Sequence, residues 1–179
     1  MSFDIKVTPK RWPLHKPFKI SRDVHTHSET IVCEISDGEH LGRGEGAGVS
    51  YDGETTDSIR QQIEAVAGEI AAGISRDELQ QLLPPGGARN AVDCALWDLE
   101  AKRAGQTVWQ MIGWDPKPVT TVYTVGIDTP ENMEADAAGH SEYAYIKVKV
   151  GIGDPLAQIE AINKGAPNAA IVIDANQAW

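Results

Sequence analysis

The first third of the chain alternates between apolar and polar positions in the way that β-strands do. The stretches FDIKVTPKRWPL and ETIVCEISDG predict two strands, and HLGRGEGAGV predicts a third after a turn at Asp37-Gly38. Between the first two strands lies a polar, proline-containing stretch over 15–28, where we expect a loop. We expect an antiparallel sheet, in which a short turn joins the second and third strands.

From about residue 56 the apolar positions recur at helical spacing instead. Apolar residues three or four positions apart predict a helix over 56–72. Ser75 followed by Glu78 forms the pattern of a capping box and predicts a second, short helix. A longer helix is expected over 88–104, closed by Gly105.

After residue 118, strand-like and helix-like segments take turns. Strands are predicted in VTTVYTVGI, YAYIKVKVG and AAIVIDAN, with helices in DTPENMEADAAGH and GDPLAQIEAINKG between them. Pro130 and Pro155 fall in the first turns of these helices, and Asp154 is expected to cap the second. The order strand–helix–strand–helix–strand predicts right-handed parallel βαβ units.

The two patterns predict an α+β domain over residues 1–118, followed over 119–179 by the first three βα units of a (β/α)8 barrel. The second stretch is much shorter than the roughly 250 residues of a complete barrel. Three parallel strands by themselves would leave an unpaired sheet edge and uncovered apolar faces. We therefore expect the sequence to be a fragment of a longer protein.

Composition narrows the classes of partner and the compartment. The formal net charge is −10, from 26 acidic and 16 basic residues, which argues against nucleic acid and anionic membranes as partners. The sequence has no apolar run long enough to predict a transmembrane helix, and its first residues lack the apolar core of a signal peptide. Cys33 and Cys94 lie in apolar contexts without metal-type spacing, so we expect free buried thiols in a cytoplasmic protein.

The strand YIKVKVG carries the first candidate chemistry. Its aliphatic residues are expected to pack on helices, which leaves Lys147 and Lys149 on the opposite face, inside the barrel. By the same alternation, Thr124 on the preceding strand and Asp174 and Asn176 on the following strand point inward. Asp174 and Asn176 lie near the carboxyl end of their strand, which is where active sites of such barrels are found.

Two neighbouring ammonium groups in a cavity repel each other and lose hydration, which favours loss of a proton from one of them. A neutral lysine amine can act as a general base near neutral pH, and a carboxylate such as Asp174 suits a hard cation such as Mg²⁺. Other interpretations stay open at this point. Alternating lysines are also typical of a solvated edge strand, and a polar strand end also caps turns.

The stretch GRGEGAG, 42–48, resembles a phosphate-binding loop in composition. It lacks the change from strand to helix that a dinucleotide fingerprint requires. We therefore expect a glycine-rich strand or hairpin.

The pair of motifs KVK on one strand and DAN on the next resembles the enolase superfamily, in its mandelate racemase/muconate lactonizing group. Residues 88–113 are similar to the signature helix that joins the capping domain of that group to its barrel, although Thr107 departs from the small residue or proline usual there. The dipeptide epimerases, typified by L-Ala-D/L-Glu epimerase, are most similar, in the stretches KPFKISR, YTVGIDTPENM, YIKVKVG and IDANQAW. The resemblance covers essentially the whole chain.

This resemblance implies an Mg²⁺-dependent isomerase that removes the α-proton of a carboxylate substrate through an enediolate. It implies that Lys149 is the acid/base and that Lys147 is its neighbour, which favours the neutral amine and neutralises the substrate carboxylate. Asp174 is then the first metal ligand, and Asn176 is a supporting polar group. The implied partner is a small carboxylate, in the leading interpretation a dipeptide, and a homo-oligomer is plausible.

Two further residues match positions that contact substrate in the family, namely Thr124 and Arg22. Arg22 lies in the predicted loop 15–28, which in the family closes over the barrel mouth. A solvated loop cation is the alternative interpretation of Arg22.

The sequence departs from the family pattern in what it lacks. The resemblance implies two more acidic metal ligands, a second lysine on the opposite face of the substrate, and an acidic motif for the ammonium group of the dipeptide, all on later strands. Residues 1–179 alone are therefore expected to bind Mg²⁺ poorly and not to epimerise. Muconate cycloisomerase, o-succinylbenzoate synthase and a non-catalytic fold fragment remain as alternatives.

Overall fold

The computed structural model of the protein describes residues 2–20, 23–151 and 155–175. The chain forms two compact units. One consists of Met1–Trp12 with Ser28–Pro116, and the other of Pro13–His27 with Lys117–Trp179. The stretch 13–27, which precedes most of the first unit in sequence, therefore groups with the second unit. A domain boundary between residues 118 and 119 stays a prediction.

A three-stranded sheet in the order β1-β2-β3 forms one layer of the α+β part of the chain. Strands β2 and β3 are antiparallel, in a register that pairs Ile31 with Gly46 and Ser36 with Leu41. The bounds are β1 Asp4–Lys19, β2 Val24–Ser36 and β3 Leu41–Gly46.

Strands β1 and β2 run further than predicted, and the expectation of a loop over 15–28 is wrong. Strand β1 continues to Lys19 and β2 begins at Val24. Prolines usually argue against a strand because they cannot donate to the hydrogen-bond ladder. Here β1 is an edge strand and its residues 9–17 are exposed, so Pro13 and Pro17 are tolerated.

The helices of the first unit follow the apolar spacing, with one interruption. The single helix predicted over 56–72 is divided, because the backbone at Val66 leaves helical angles, with φ −116° and ψ 15°. The predicted capping box is confirmed: the Ser75 side chain accepts from the Glu78 N–H, and the Glu78 carboxylate accepts from the Ser75 N–H. The bounds are α1 Thr56–Ala65, α2 Ala67–Ala71, α3 Arg76–Leu82, α4 Gly87–Ala104 and α5 Val108–Met111.

Helix α4 lies directly on the backbone of β3. A Cβ atom added at Gly42, Gly44 or Gly46 would lie 2.1, 2.0 or 2.2 Å from a carbonyl oxygen of α4. These distances are shorter than any real Cβ contact, so the approach requires glycine on this face of the strand. The prediction that the glycine-rich stretch is a strand is confirmed as far as Gly46.

The core of the first unit lies between the sheet and its helices, and one cysteine belongs to it. Cys33 is fully buried beside Ile31 and Ile35. Burial, with a smaller contribution from the nearby charge of Glu34, raises the pKa of the Cys33 thiol to about 12. Cys94 is exposed on α4, so its predicted burial is wrong.

The second unit contains the predicted parallel βαβ units. Its strands pair in the order β4-β5-β6, and both pairings are parallel. Strand β4 is shorter than the stretch VTTVYTVGI, since only three of its residues pair with β5. Asp154, the expected cap of α7, lies outside the described residues. The bounds are β4 Tyr123–Val125, α6 Pro130–Ala138, β5 Tyr145–Lys149, α7 Pro155–Gly165 and β6 Ala170–Asp174.

Helices α6 and α7 cover one face of this sheet. Met133 and Ile162 are fully buried against Ile146 and Val148 of the central strand. An α+β unit followed by parallel βα strands confirms the predicted fold class, a capping-type domain and the first strands of a barrel. Over the described ranges, no helix has both the length and the apolar character that crossing a membrane requires.

Candidate active site

Strand β5 divides its side chains sharply between its two faces. Ile146, Val148 and Val150 are fully buried on the helix side, as predicted from the alternation. Lys147 and Lys149 therefore share the face that the helices do not cover. Lys149 is largely buried there, with 8% of the residue exposed.

The register of the parallel sheet extends this polar face over three strands. Thr124 pairs with Lys147, and Lys149 pairs with Asp174. Paired residues of neighbouring strands lie on the same face of a sheet. Thr124, Lys147, Lys149 and Asp174 thus belong to one face, and Lys149 and Asp174 are the last residues of their strands.

One carboxylate oxygen joins the two lysines. The Nζ atom of Lys147 lies 2.7 Å from Oδ2 of Asp174, and the Nζ atom of Lys149 lies 2.8 Å from the same oxygen. The side chains are 32%, 10% and 27% exposed for Lys147, Lys149 and Asp174 respectively. Lysine is rarely buried without an anionic partner, and Asp174 supplies that partner for both amines.

The charges of this trio do not cancel. With both lysines protonated and Asp174 ionised, two positive charges face one negative charge, and a single positive charge is left over. This excess of positive charge in the trio suits an additional anion, such as a carboxylate, beside the two amines.

The donor set fits one part of a cation site. A hard cation such as Mg²⁺ takes about six oxygen ligands, and the Asp174 carboxylate is of the right chemical type. In the part of the chain that the structure describes, no three side chains of His, Cys, Asp or Glu come together as a metal site. Asp174 is thus a candidate for one ligand among several.

Of the remaining predicted site residues, one lies within the described part of the chain and two lie outside it. Thr124 is half-buried on β4, on the same face as the two lysines. Arg22 and Asn176 lie outside the described residues. Val172 pairs with Lys147 and therefore lies on the same face, where it is 41% exposed.

A second polar cluster in this unit was missed by the sequence analysis. Asp136 on α6 lies 2.5 Å from Lys16 through Oδ2, and its Oδ1 accepts a hydrogen bond of 3.0 Å from the hydroxyl of Tyr123. The ring of His140 stacks on Tyr123 with a centroid separation of 3.6 Å. Lys16 and Asp136 are 120 positions apart in sequence, so local periodicity gives no signal for the contact.

The charges in this second cluster are visible in two pKa shifts. Partial burial acts to lower the pKa of Lys16, but the hydrogen bond and the negative charge of Asp136 outweigh it and raise that pKa. Burial raises the pKa of Tyr123, and the hydrogen bond to Asp136 acts in the same direction. The cluster holds Lys16 in its charged form and Tyr123 in its neutral form.

Comparison with known proteins places the chain in a family. The N-terminal domain of the mandelate racemase / muconate lactonizing enzyme family matches residues 2–113. The L-Ala-D/L-Glu epimerase of Escherichia coli is 37% identical over 178 residues, which cover 98% of this chain and 56% of that protein. The chain spans about half the length of the curated relatives that it matches.

Solved structures agree in fold. An enolase family member from Agrobacterium tumefaciens with homology to dipeptide epimerases, with bound sodium and L-Ala-L-Glu, has a TM-score of 0.95 and 40% identity, over 99% of this chain and 55% of that chain. The dipeptide epimerase of Enterococcus faecalis, complexed with Mg and L-Leu-L-Tyr, has a TM-score of 0.87 and 26% identity, over 100% of this chain and 55% of that chain. The chain therefore belongs to the mandelate racemase / muconate lactonizing enzyme family of the enolase superfamily.

Proposed function

We propose that the full-length protein is an Mg²⁺-dependent dipeptide epimerase that removes the proton next to the carboxylate of its substrate, with L-Ala-D/L-Glu or a related dipeptide as substrate. The observation that carries the proposal is the convergence of Lys147, Lys149 and Asp174 at the carboxyl ends of two neighbouring parallel strands. The similarity to dipeptide epimerases supports the substrate class.

Lys149 is the proposed acid/base. Its side chain is the more buried of the two, and its amine lies 2.8 Å from Oδ2 of Asp174. The amine lies at the carboxyl end of β5, on the same face as Lys147, and a positioned amine of this kind is the group proposed to accept the substrate proton. Proton transfer by a positioned side chain contributes roughly 10²–10⁴-fold to the rate of such a step.

Lys147 is proposed to neutralise the substrate carboxylate. Its side chain is more exposed than that of Lys149, at 32% against 10%, so it can meet a ligand without losing its contact with Asp174. Arg22 and Thr124 are proposed substrate contacts, and Asn176 is a proposed supporting group for the strand end.

Asp174 is the proposed first ligand for Mg²⁺. The cation, when bound, would act as a Lewis acid on the substrate carboxylate and so lower the free energy of removing the neighbouring proton. One carboxylate does not hold this ion by itself, so the proposal includes that residues 1–179 expressed alone have no epimerase activity.

The proposal also covers the partners and the compartment. A net charge of −10 disfavours nucleic acid and anionic membranes as partners, and a small carboxylate substrate is the proposed partner. A cytoplasmic location and a homo-oligomeric state are parts of the same proposal.

The deciding experiment follows the α-proton in the full-length protein. Wild type, Lys149→Ala and Lys164→Ala are each incubated with Mg²⁺ and L-Ala-L-Glu in heavy water, and deuterium at the α-carbon of the glutamate residue is measured by NMR. Lys164 is the matched control, because its amine also contacts a carboxylate at 2.8 Å, that of Glu134, but on the outer helices.

We expect Lys149→Ala to slow deuterium incorporation by at least about a hundredfold and Lys164→Ala to leave the rate within about twofold of wild type. Exchange at the wild-type rate in Lys149→Ala would remove Lys149 as the base. No exchange by the wild-type protein with a panel of dipeptides would overturn the proposed function.

A further inference from the structure

Part of strand β1 is tied to the second unit by the cluster around Asp136. The part concerned, which we call segment 13–19, is Pro13–Lys19, and it belongs to the same compact unit as β4 and α6. Lys16 of this segment reaches Asp136 at 2.5 Å and the hydroxyl of Tyr123 at 3.5 Å. One side chain of the segment thus contacts a strand and a helix at once.

The receiving groups are themselves held in place. Both oxygens of the Asp136 carboxylate are engaged, one by Lys16 and the other by Tyr123, and the side chain is only 17% exposed. The ring of Tyr123 is stacked on His140, whose Nδ1 atom lies 2.8 Å from the Asp136 carbonyl oxygen. A fixed, charged acceptor of this kind binds an ammonium group more strongly than two mobile surface side chains bind each other.

A backbone contact three residues further along completes the attachment. The N–H of Ile127 donates to the carbonyl oxygen of Lys19 at 3.0 Å. A Cβ atom at Gly126 would lie 3.3 Å from the same oxygen and 3.4 Å from the ring of Phe18, so glycine lets the two backbones approach closely. The attachment therefore has an ionic part at Lys16 and a hydrogen-bonded part at Lys19.

The ionic part of the attachment involves Tyr123, the first residue of β4, whereas the hydrogen-bonded part lies at the carboxyl end of the same strand, next to the candidate active site. Gly126 and Ile127 directly follow Val125, the last residue of β4. The carboxyl ends of parallel strands lie on the same side of a sheet, and Lys149 and Asp174 are the last residues of their strands there. The Lys19 end of segment 13–19 is thus near the strand ends where the proposed substrate carboxylate would bind.

We propose that Asp136 and Tyr123 are positioning residues that hold segment 13–19 along β4, so that its Lys19 end stays at the carboxyl end of that strand, and thereby set the affinity of the site for its substrate. Neither residue belongs to the lysine–aspartate face, so they act on the site through the segment. The effect on affinity rests on the proposed function, and the attachment itself does not.

The attachment is tested without substrate, by amide hydrogen exchange of the full-length protein measured by mass spectrometry. In Asp136→Asn, peptides that contain residues 13–19 should exchange roughly tenfold faster than in wild type, because a charge-assisted bond is lost. Glu134→Gln is the matched control: it removes a carboxylate from the same helix whose partner is Lys164, and it should leave this exchange unchanged. Lys16→Met, at a half-exposed position that cannot disturb the core, should reproduce the effect of Asp136→Asn.

The effect on affinity is tested by steady-state kinetics with the dipeptide. We expect Asp136→Asn and Lys16→Met to raise KM roughly tenfold with kcat within about twofold, and the double charge reversal Lys16→Glu with Asp136→Lys to restore part of the loss. Added salt should raise the wild-type KM by a larger factor than that of Asp136→Asn, because in wild type salt screens the Lys16–Asp136 pair as well as the charges that meet the substrate carboxylate.

Each outcome decides one of the two claims. Unchanged exchange of residues 13–19 in both Asp136→Asn and Lys16→Met overturns the attachment. Faster exchange with an unchanged KM overturns the role in affinity. A fall in kcat as large as the expected rise in KM overturns it as well. If the wild-type protein turns over no dipeptide, the proposed function fails, and the exchange rates alone then support or overturn the attachment.

Discussion

Two carboxylates of the second unit bind lysine in different ways. Asp174 shares one oxygen between Lys147 and Lys149, so positive charge is in excess. Asp136 engages one lysine and one neutral hydroxyl with separate oxygens, so charge is balanced. The first arrangement leaves one positive charge of the trio uncompensated, and in the second the charges of Lys16 and Asp136 compensate each other. This difference distinguishes the proposed reactive site from the proposed anchor at Asp136, although both are built from lysine and aspartate.

The largest expected effect on stability comes from removing the shared carboxylate. Asp174→Ala leaves the buried Lys149 and its neighbour without their common partner, and we expect the free energy of unfolding to fall by about 2–3 kcal/mol. Chemical denaturation of the full-length protein measures the change. Lys147→Ala is the informative control, since it removes one of two like charges and should cost less than about 1 kcal/mol. Equal losses in the two variants would contradict the view that Asp174 compensates an excess of positive charge.

A smaller loss of stability is expected when the Asp136 carboxylate is removed. Asp136→Ala removes one ion pair and one hydrogen bond from groups that reach water, and the expected decrease in the free energy of unfolding is about 1 kcal/mol. The same denaturation experiment applies, with Glu134→Ala as the control on α6. A loss as large as that of Asp174→Ala would show that the two carboxylates do the same structural work.

The smallest expected effect on stability concerns Lys16, whose contribution to the free energy of unfolding should depend on pH in the alkaline range. Burial acts to lower the pKa of Lys16 in the folded protein. The hydrogen bond to Asp136 and its negative charge outweigh burial, so the pKa is raised overall. The stabilisation it provides is therefore complete below the ordinary lysine pKa of 10.5 and is lost as pH rises through the raised pKa.

Wild type should accordingly be more stable than Lys16→Met, by less than about 1 kcal/mol in free energy of unfolding, up to pH about 10. This advantage of wild type should shrink at higher pH. Urea denaturation at a series of pH values measures it. A difference that grows with pH would reverse the sign of the argument.

Periodicity allowed much of the second unit to be predicted. The alternation in YIKVKVG placed Ile146 and Val148 on the buried face, and the structure confirms this. The order of strands and helices predicted the parallel sheet, and the register then brings Lys149 opposite Asp174. Such features depend on local repeats and on the geometry of βαβ units, which a sequence displays directly.

Features that depend on distant contacts were not accessible in this way. Pro13 and Pro17 argued for a loop, and only the position of β1 at the sheet edge explains why a strand tolerates them. The attachment of Lys16 to Asp136 joins two residues 120 positions apart. The exposure of Cys94 depends on which face of α4 meets the sheet. The assignment of Arg22 and Asn176 to the site stays a prediction.

The contact between β3 and α4 has a mechanical consequence. Where two layers meet through side chains, small displacements are absorbed by changes of rotamer. The glycines of β3 have no side chains that could adjust in this way, because the backbone of α4 contacts the strand backbone at Gly42, Gly44 and Gly46. Strand β3 and helix α4 should therefore move together as one rigid element. Motion within the first unit should be concentrated in the turns around them.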